Sequence, residues 1–247
     1  MRQYGIVPPG MKTGCLPRRT KPGQTCPLFS SRIKPIPRGE WEERSNKITL
    51  RPFVRKVYNQ GDVGSCASES KDQAVAICLA GKFGGSDGAS LVPLFNPYGT
   101  YHFVNGGSDQ GSTLDDNLNF GREYGCFPES VWPRSKGWQT RPDDAAMAEA
   151  AKCKIIEYYD ILSVEEFVTA LLYGIPVTYG ANGHAVTAVA HLHRQNAPQI
   201  VNSWSESWED GGFGIWVPYS GLGDMLRYGA YAVRTATMNA SMFQEPV

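Results

Sequence analysis

A cysteine attacks a carbonyl as its thiolate, and of the six cysteines in this 247-residue chain one stands where that anion would be favoured. Asn59-Gln60-Gly61-Asp62-Val63-Gly64-Ser65 is a glycine-hinged turn that delivers Cys66 to the first position of a helical run. There the positive end of the helix dipole lowers the cost of negative charge. A thiol at neutral pH also needs a base to take its proton, and a third group to hold that base in the right tautomer. Of the four histidines, His102, His184, His191 and His193, only His184 opens an apolar strand-like run directly after a glycine turn, Ala181-Asn182-Gly183. That placement sets its ring at the rim of a sheet. His102 lies among aromatic residues and reads as a packed histidine, and His191 and His193 read as surface residues at the far end of the same run. Asn202 closes a second strand-like run, where its amide can orient an imidazole and Trp204 can shield their hydrogen bond from water.

These residues need elements to place them. Behind Cys66, the run Ala67 to Ala80 has small and apolar residues at three- and four-residue spacing, which predicts a helix packed closely between two layers, capped by Ser65 and stopped near Gly81. Lys82 to Gly111 is rich in Gly, Pro, Asn and Ser and reads as loop with one helical turn. Thr113-Leu114-Asp115-Asp116 and Ser163-Val164-Glu165-Glu166 are capping boxes that open two further helices, closed at Gly125 and Gly174, and Asp143 to Lys152 is a short alanine-rich helix. From Cys153 onward the chain turns to strand: Lys154–Tyr159, Pro176–Tyr179, His184–Leu192, Gln199–Trp204, Phe213–Val217 and Tyr228–Val233. A helical first half and a β-rich second half without βαβ alternation predict an α+β fold.

Composition narrows the function. Twenty-four basic and 24 acidic residues cancel, so no global field recruits nucleic acid or an anionic membrane. No apolar run reaches the roughly 20 residues of a membrane span, and the first residues lack the apolar segment of a secretory signal. The expectation is therefore a cytoplasmic or virion-associated chain without membrane contact. The cysteines form no CxxC pair and no cluster with histidine, so neither a metal nor another cofactor is expected. Residues 1–52, rich in proline and basic residues, read as an extended arm held by its own domain or by a partner. The expected division is arm 1–52, a domain 53–240 with a helical lobe about 53–152 and a β lobe about 153–240, and a tail 241–247.

Gln60-Gly61-Asp62-Val63-Gly64-Ser65-Cys66, Gly183-His184-Ala185-Val186 and Asn202-Ser203-Trp204 with Trp208, Gly212 and Phe213 resemble, in this order, the three signature blocks of papain-like cysteine peptidases. Tyr124-Gly125-Cys126-Phe127-Pro128-Glu129-Ser130-Val131-Trp132-Pro133 is similar to a segment of that family's bacterial and viral branch, and Leu171–Val177 and Pro218-Tyr219 also match. The resemblance covers residues 53 to 235. It implies a fold of two lobes with a cleft between them, Cys66 as nucleophile, His184 as base, Asn202 as orienting residue and Gln60 as side-chain donor of the oxyanion hole. It further implies Gly111, Ala185 and Trp204 as substrate-binding residues, and a peptide or protein as substrate.

Several residues depart from the family pattern. Val63 stands where the family has a cysteine, so one usual disulfide is lost. Ala67 replaces an aromatic residue or Thr, and Ser205 and Glu209 replace two glycines. The segment between Val177 and His184 is much shorter than the family's, which removes a wall of the substrate site. Beside the peptidase reading stands a second, a papain-like domain kept as a structural or binding component of a larger assembly such as a virus particle, contacting it through the arm. Amide chemistry on peptidoglycan or ubiquitin-like isopeptides would use the same nucleophile. The arm itself would be a built-in inhibitor lying in the cleft or a clamp on a neighbouring subunit.

Overall fold

The structure, a computed structural model, describes residues 4–83 and 87–243. Its centre is helix α2 (Cys66–Phe83), which follows α1 (Trp41–Ser45). Every residue of α2 from Cys66 to Val75 is buried, including Lys71 and Asp72, which pair with each other. A helix of small side chains can be covered on all sides. On one side it meets α3 (Gly88–Leu91), α4 (Pro97–Val104) and α5 (Leu114–Glu123). On the other it lies on a six-stranded sheet in the order β1 (Cys153–Asp160), β6 (Ala230–Met238), β2 (Val177–Ala181), β3 (His184–Leu192), β4 (Ala197–Val201), β5 (Phe213–Gly214). All the pairings are antiparallel. One core fills the space between α2 and the sheet. A second lies around β2, β3 and α7 (Val164–Leu172) and takes in Phe29, Ile36 and Trp41 from the arm. The remaining helices, α6 (Asp144–Ala150) and α8 (Leu222–Tyr228), pack at the ends of β1 and β2.

The expected α+β fold is what the chain adopts, with an antiparallel sheet. The capping residues Thr113, Asp143 and Ser163 accept hydrogen bonds from the backbone N–H of Asp116, Ala146 and Glu166. Ser65 differs, because its hydroxyl donates to the buried carboxylate of Glu69. The stretch read as loop contains the eight-residue α4, opened by the Asn96 cap and Pro97 at the first helical position. Helix α8 occupies residues expected to be turn and strand. Strand β5 is only two residues long, which leaves Trp216 to fold inward and donate to the Ala181 carbonyl. His191 is a correction: it is buried, with its ring edge-on to Trp41, because arm helix α1 covers that end of β3. The expected tail is described only to Phe243 and includes a turn of 3-10 helix at Ala240–Met242.

The arm is held by its own domain. Arg18 makes a two-pronged ion pair with Asp160, at 3.1 and 2.8 Å, with both side chains nearly excluded from solvent. Asp160 also accepts from the Gly23 N–H, Glu166 from the Ser30 N–H and Thr169 from the Ile36 N–H. Further on, the Leu50 N–H donates to the Val189 carbonyl. Though proline-rich, the arm includes α1 and turns of 3-10 helix at Phe29–Ser31 and Arg38–Glu40.

Candidate active site

The β2–β3 hairpin brings His184 to the rim of the sheet. Its loop is Asn182-Gly183, with φ of 51° and 72°, the left-handed pair that matches a two-residue hairpin to strand twist. This tight turn is the structural form of the shortened segment. His184 Nε2 lies 2.7 Å from Asn202 Oδ1. The Ser203 N–H donates to the same Asn202 atom at 2.8 Å, so that atom is the amide oxygen. His184 Nε2 must therefore be the protonated nitrogen, which leaves Nδ1 as the basic one, and Nδ1 carries no hydrogen bond. The ring is fully buried, stacked on Trp204 at 4.1 Å and edge-on to Trp216. Burial pulls its pKa down to about 4, partly offset by the bond to Asn202.

Cys66 opens α2 on the facing side. Burial pushes its thiol up to about 11, against the opposing pull of the backbone N–H groups of Ala185, Gly14 and Ala67. The residue after His184 is thus one of those whose N–H favours the thiolate. Thiol and imidazole are both neutral in this state, and no hydrogen bond joins them. Beside them, the Asn59–Trp204 bridge ties the cysteine turn to the asparagine block. The Gln60 N–H donates to the Ser203 carbonyl and the Ser203 hydroxyl donates to Gln60 Oε1. This fixes the amide so that Nε2 points inward, where it donates to the carbonyls of Val63 at 2.8 Å and Lys12 at 3.0 Å.

The arm runs between these two sides. The Lys12 N–H donates to the Gly61 carbonyl, Gly14 O accepts from the Ser112 N–H at 2.8 Å, the Cys15 N–H donates to the Gly183 carbonyl at 2.8 Å, and the Leu16 N–H donates to the Ser112 carbonyl. Contact is close enough to require glycine: a Cβ on Gly111 would fall 2.0 Å from Gly14 O, and one on Gly14 would fall 2.1 Å from Gly64 O. Cys15 fills the space over Gly180, where a Cβ would sit 2.7 Å from its sulfur. Further back, arm residues Tyr4 to Met11 roof a hollow of about 400 Å³ over Trp204, Trp208 and Trp216.

The structure thus brings together Cys66, His184, Asn202 and Gln60, and places Gly111, Ala185 and Trp204 around them. His102 stands apart, its ring bonded to the Trp138 carbonyl. Three site residues carried no role in the sequence reading: Ser203, Lys12 and Asp109. Ser203 was legible as the residue between Asn202 and Trp204, whereas Lys12 and Asp109 lie far from the motifs in sequence. Asp109 Oδ1 accepts from the Gly64 N–H at 2.8 Å and from the Tyr101 hydroxyl at 2.6 Å. It fastens loop 105–111 to the cysteine turn in a region where Val63 leaves no thiol for a disulfide. Ser205 and Glu209, which replace expected glycines, keep left-handed backbones with φ of 66° and 46°. Among the described residues no group of three side chains is arranged to hold a metal ion, and no helix is long and apolar enough to cross a membrane. A groove of about 940 Å³ lies away from this site, lined by Arg32, Lys34, Lys47, Lys82 and Arg234 among others.

No protein-family model matches the chain, and no curated protein is significantly similar to it in sequence. Solved structures are similar in fold. Xylellain, a cysteine protease from Xylella fastidiosa, superposes with a TM-score of 0.67 at 18% identity, covering 95% of this chain and 98% of that one. Digestive procathepsin L 3 of Tenebrio molitor larval midgut gives 0.64 at 19% identity, covering 86% and 75%. The ragweed cysteine protease Amb a 11 in its proform gives 0.59 at 18%, covering 90% and 72%. The chain has the fold of the papain-like cysteine proteases.

Proposed function

We propose that this protein is a cysteine peptidase whose resting form is covered by its own arm. The observation that carries the reading is the fixed tautomer of His184: Asn202 Oδ1 accepts a hydrogen bond from Nε2–H and leaves Nδ1 basic, one residue before Ala185, whose N–H favours the Cys66 thiolate. Once a substrate replaces the arm, the thiol proton passes to Nδ1 and the sulfur attacks the peptide carbonyl. Gln60 Nε2–H and the Cys66 N–H receive the developing oxyanion, and the imidazolium returns its proton to the departing amine. Water then hydrolyses the acyl-enzyme by the reverse use of the same base. The similarity to structures of a procathepsin and of a cysteine protease in its proform supports a covered resting state. The order of the sequence blocks and the Tyr124–Pro133 segment support kinship with the bacterial and viral branch.

The arm's contacts with its own domain, through Arg18 and the N–H groups of Gly23, Ser30 and Ile36, favour the inhibitory reading over a clamp on a neighbouring subunit. The test is digestion of a mixed peptide library, read by mass spectrometry, with the intact chain and with Arg18→Ala to loosen the arm. Cleavage should appear, rise in Arg18→Ala, and vanish when Cys66→Ala or His184→Ala is added. Cleavage that survives Cys66→Ala, or none in any form, would overturn the reading.

A further inference from the structure

Lys12 occupies the cleft in a particular way. Its carbonyl oxygen accepts from Gln60 Nε2, the donor that would meet the oxygen of an attacked carbonyl. Its side chain turns to the wall, where Nζ bonds Asp109 Oδ2 at 2.6 Å and the Asp109 carbonyl at 2.8 Å. The two oxygens of Asp109 have separate tasks. Oδ1 is consumed by the Gly64 N–H and the Tyr101 hydroxyl, and the Tyr101 oxygen in turn accepts from the Gly111 N–H. Those bonds lock the carboxylate against the cysteine turn with Oδ2 directed at the cleft. Side-chain exposure of 21% keeps this carboxylate partly shielded, so a cation held there is screened less than one on an open surface. A fixed carboxylate oxygen and a backbone carbonyl converging on one point make a socket for a donor-only cation.

We infer that Asp109 is a specificity-determining residue, selecting substrates with lysine or arginine at the residue whose carbonyl is attacked, and that Lys12 of the arm holds that socket in the resting chain. The inference rests on the peptidase reading and names its substrate class. A substrate residue that puts its carbonyl oxygen where Lys12 O lies, beside Gln60, can reach Asp109 Oδ2 with a long basic side chain. A neutral side chain gains nothing there, and an acidic one meets a like charge.

The experiment uses the full chain carrying Lys12→Ala and Arg18→Ala, which frees the socket and loosens the arm. It is treated with peptidyl acyloxymethyl ketones ending in lysine, norleucine or glutamate. Attack by the Cys66 sulfur forms a carbon–sulfur bond and expels the carboxylate, which carries off the thiol proton, so labelling is read by mass. The lysine probe should label Cys66 about tenfold faster than the norleucine probe and the glutamate probe slower than both, in line with a charge-assisted hydrogen bond. Adding Asp109→Asn, which keeps an acceptor for Gly64 and Tyr101, should bring the lysine-to-norleucine ratio close to one. Ratios are compared within each variant, so a general loss of reactivity cancels. Should Asp109→Asn fold poorly, 0.5 M sodium chloride on the parent chain should lower the same ratio several-fold. A ratio near one in the parent chain, or one that neither Asp109→Asn nor salt moves, overturns the inference and leaves the peptidase reading intact. Absence of labelling by every probe removes both.

Discussion

His184 and Asn202 are positioned by the sheet and the asparagine loop, whereas Cys66 and Gln60 share hydrogen-bonding groups with the arm. On the first side, the hairpin turn at Asn182-Gly183, the Ser203 N–H and the stacked Trp204 define tautomer and orientation. On the second, the Gly14 N–H bears on the thiolate and the Gln60 amide donates to the Lys12 carbonyl. In the mechanism we propose, the proton-accepting half is thus complete while the arm is in place, and the half that would bind the reacting carbonyl is occupied. On that proposal, control of the site would fall on whatever moves the arm.

The sharpest way to break this asymmetry is at the arm's buried anchor. Arg18→Ala strands the Asp160 carboxylate in a site closed to water, which should cost about 3–5 kcal/mol of stability in the segment it holds. Iodoacetamide labelling of Cys66 should accelerate at least tenfold while hydrogen exchange along β3 is unchanged; equal acceleration in both places would show that the two sides are not separable. Next in size is Gln60→Ala, which removes the proposed oxyanion donor and should lower kcat by about 10²–10³. The His184–Asn202 geometry should survive it, checked by the imidazole NMR signals.

The imidazole side predicts a pH effect. His184 and His191 are each held by burial near a pKa of about 4, against an ordinary value of 6.5. A depressed histidine pKa means that the unfolded chain takes up protons the folded chain refuses. Their contribution is therefore fully present above pH 6.5 and is lost as pH falls from 6.5 towards 4. Over that window Tm should decline less steeply in His184→Gln than in the parent; parallel slopes would mean that the folded imidazole is charged. The smallest effect belongs to the loop after Asn202. Ser205→Gly and Glu209→Gly relieve left-handed backbones and should each add about 0.5–1 kcal/mol of stability, measured by denaturant unfolding, without altering Cys66 labelling.

Much of this molecule is written locally. The caps at Thr113, Asp143 and Ser163 sit beside the helices they start, and alternating Val, Ala and Tyr mark β2, β3 and β6, because capping and strand burial depend on residues a few positions apart. Helix α4 was legible too, through Asn96 followed by Pro97, although the surrounding Gly and Asn residues hid it. His191 shows the opposite case: nothing near it in sequence announces that Trp41 from the arm will cover it.

Sequence alone determined the α+β layout and the placing of Cys66 at a helix start and of His184 and Asn202 at strand ends. Each of these follows from short-range periodicity, turn chemistry or side-chain type. Tertiary structure alone decided that Ser203 orients Gln60, that Asp109 takes over the fastening of the cysteine turn, and that Lys12 and Gly14 lie against the reactive groups. Those contacts join residues 45 to 143 positions apart. Their geometry comes from the packing of whole elements, and no local pattern carries it.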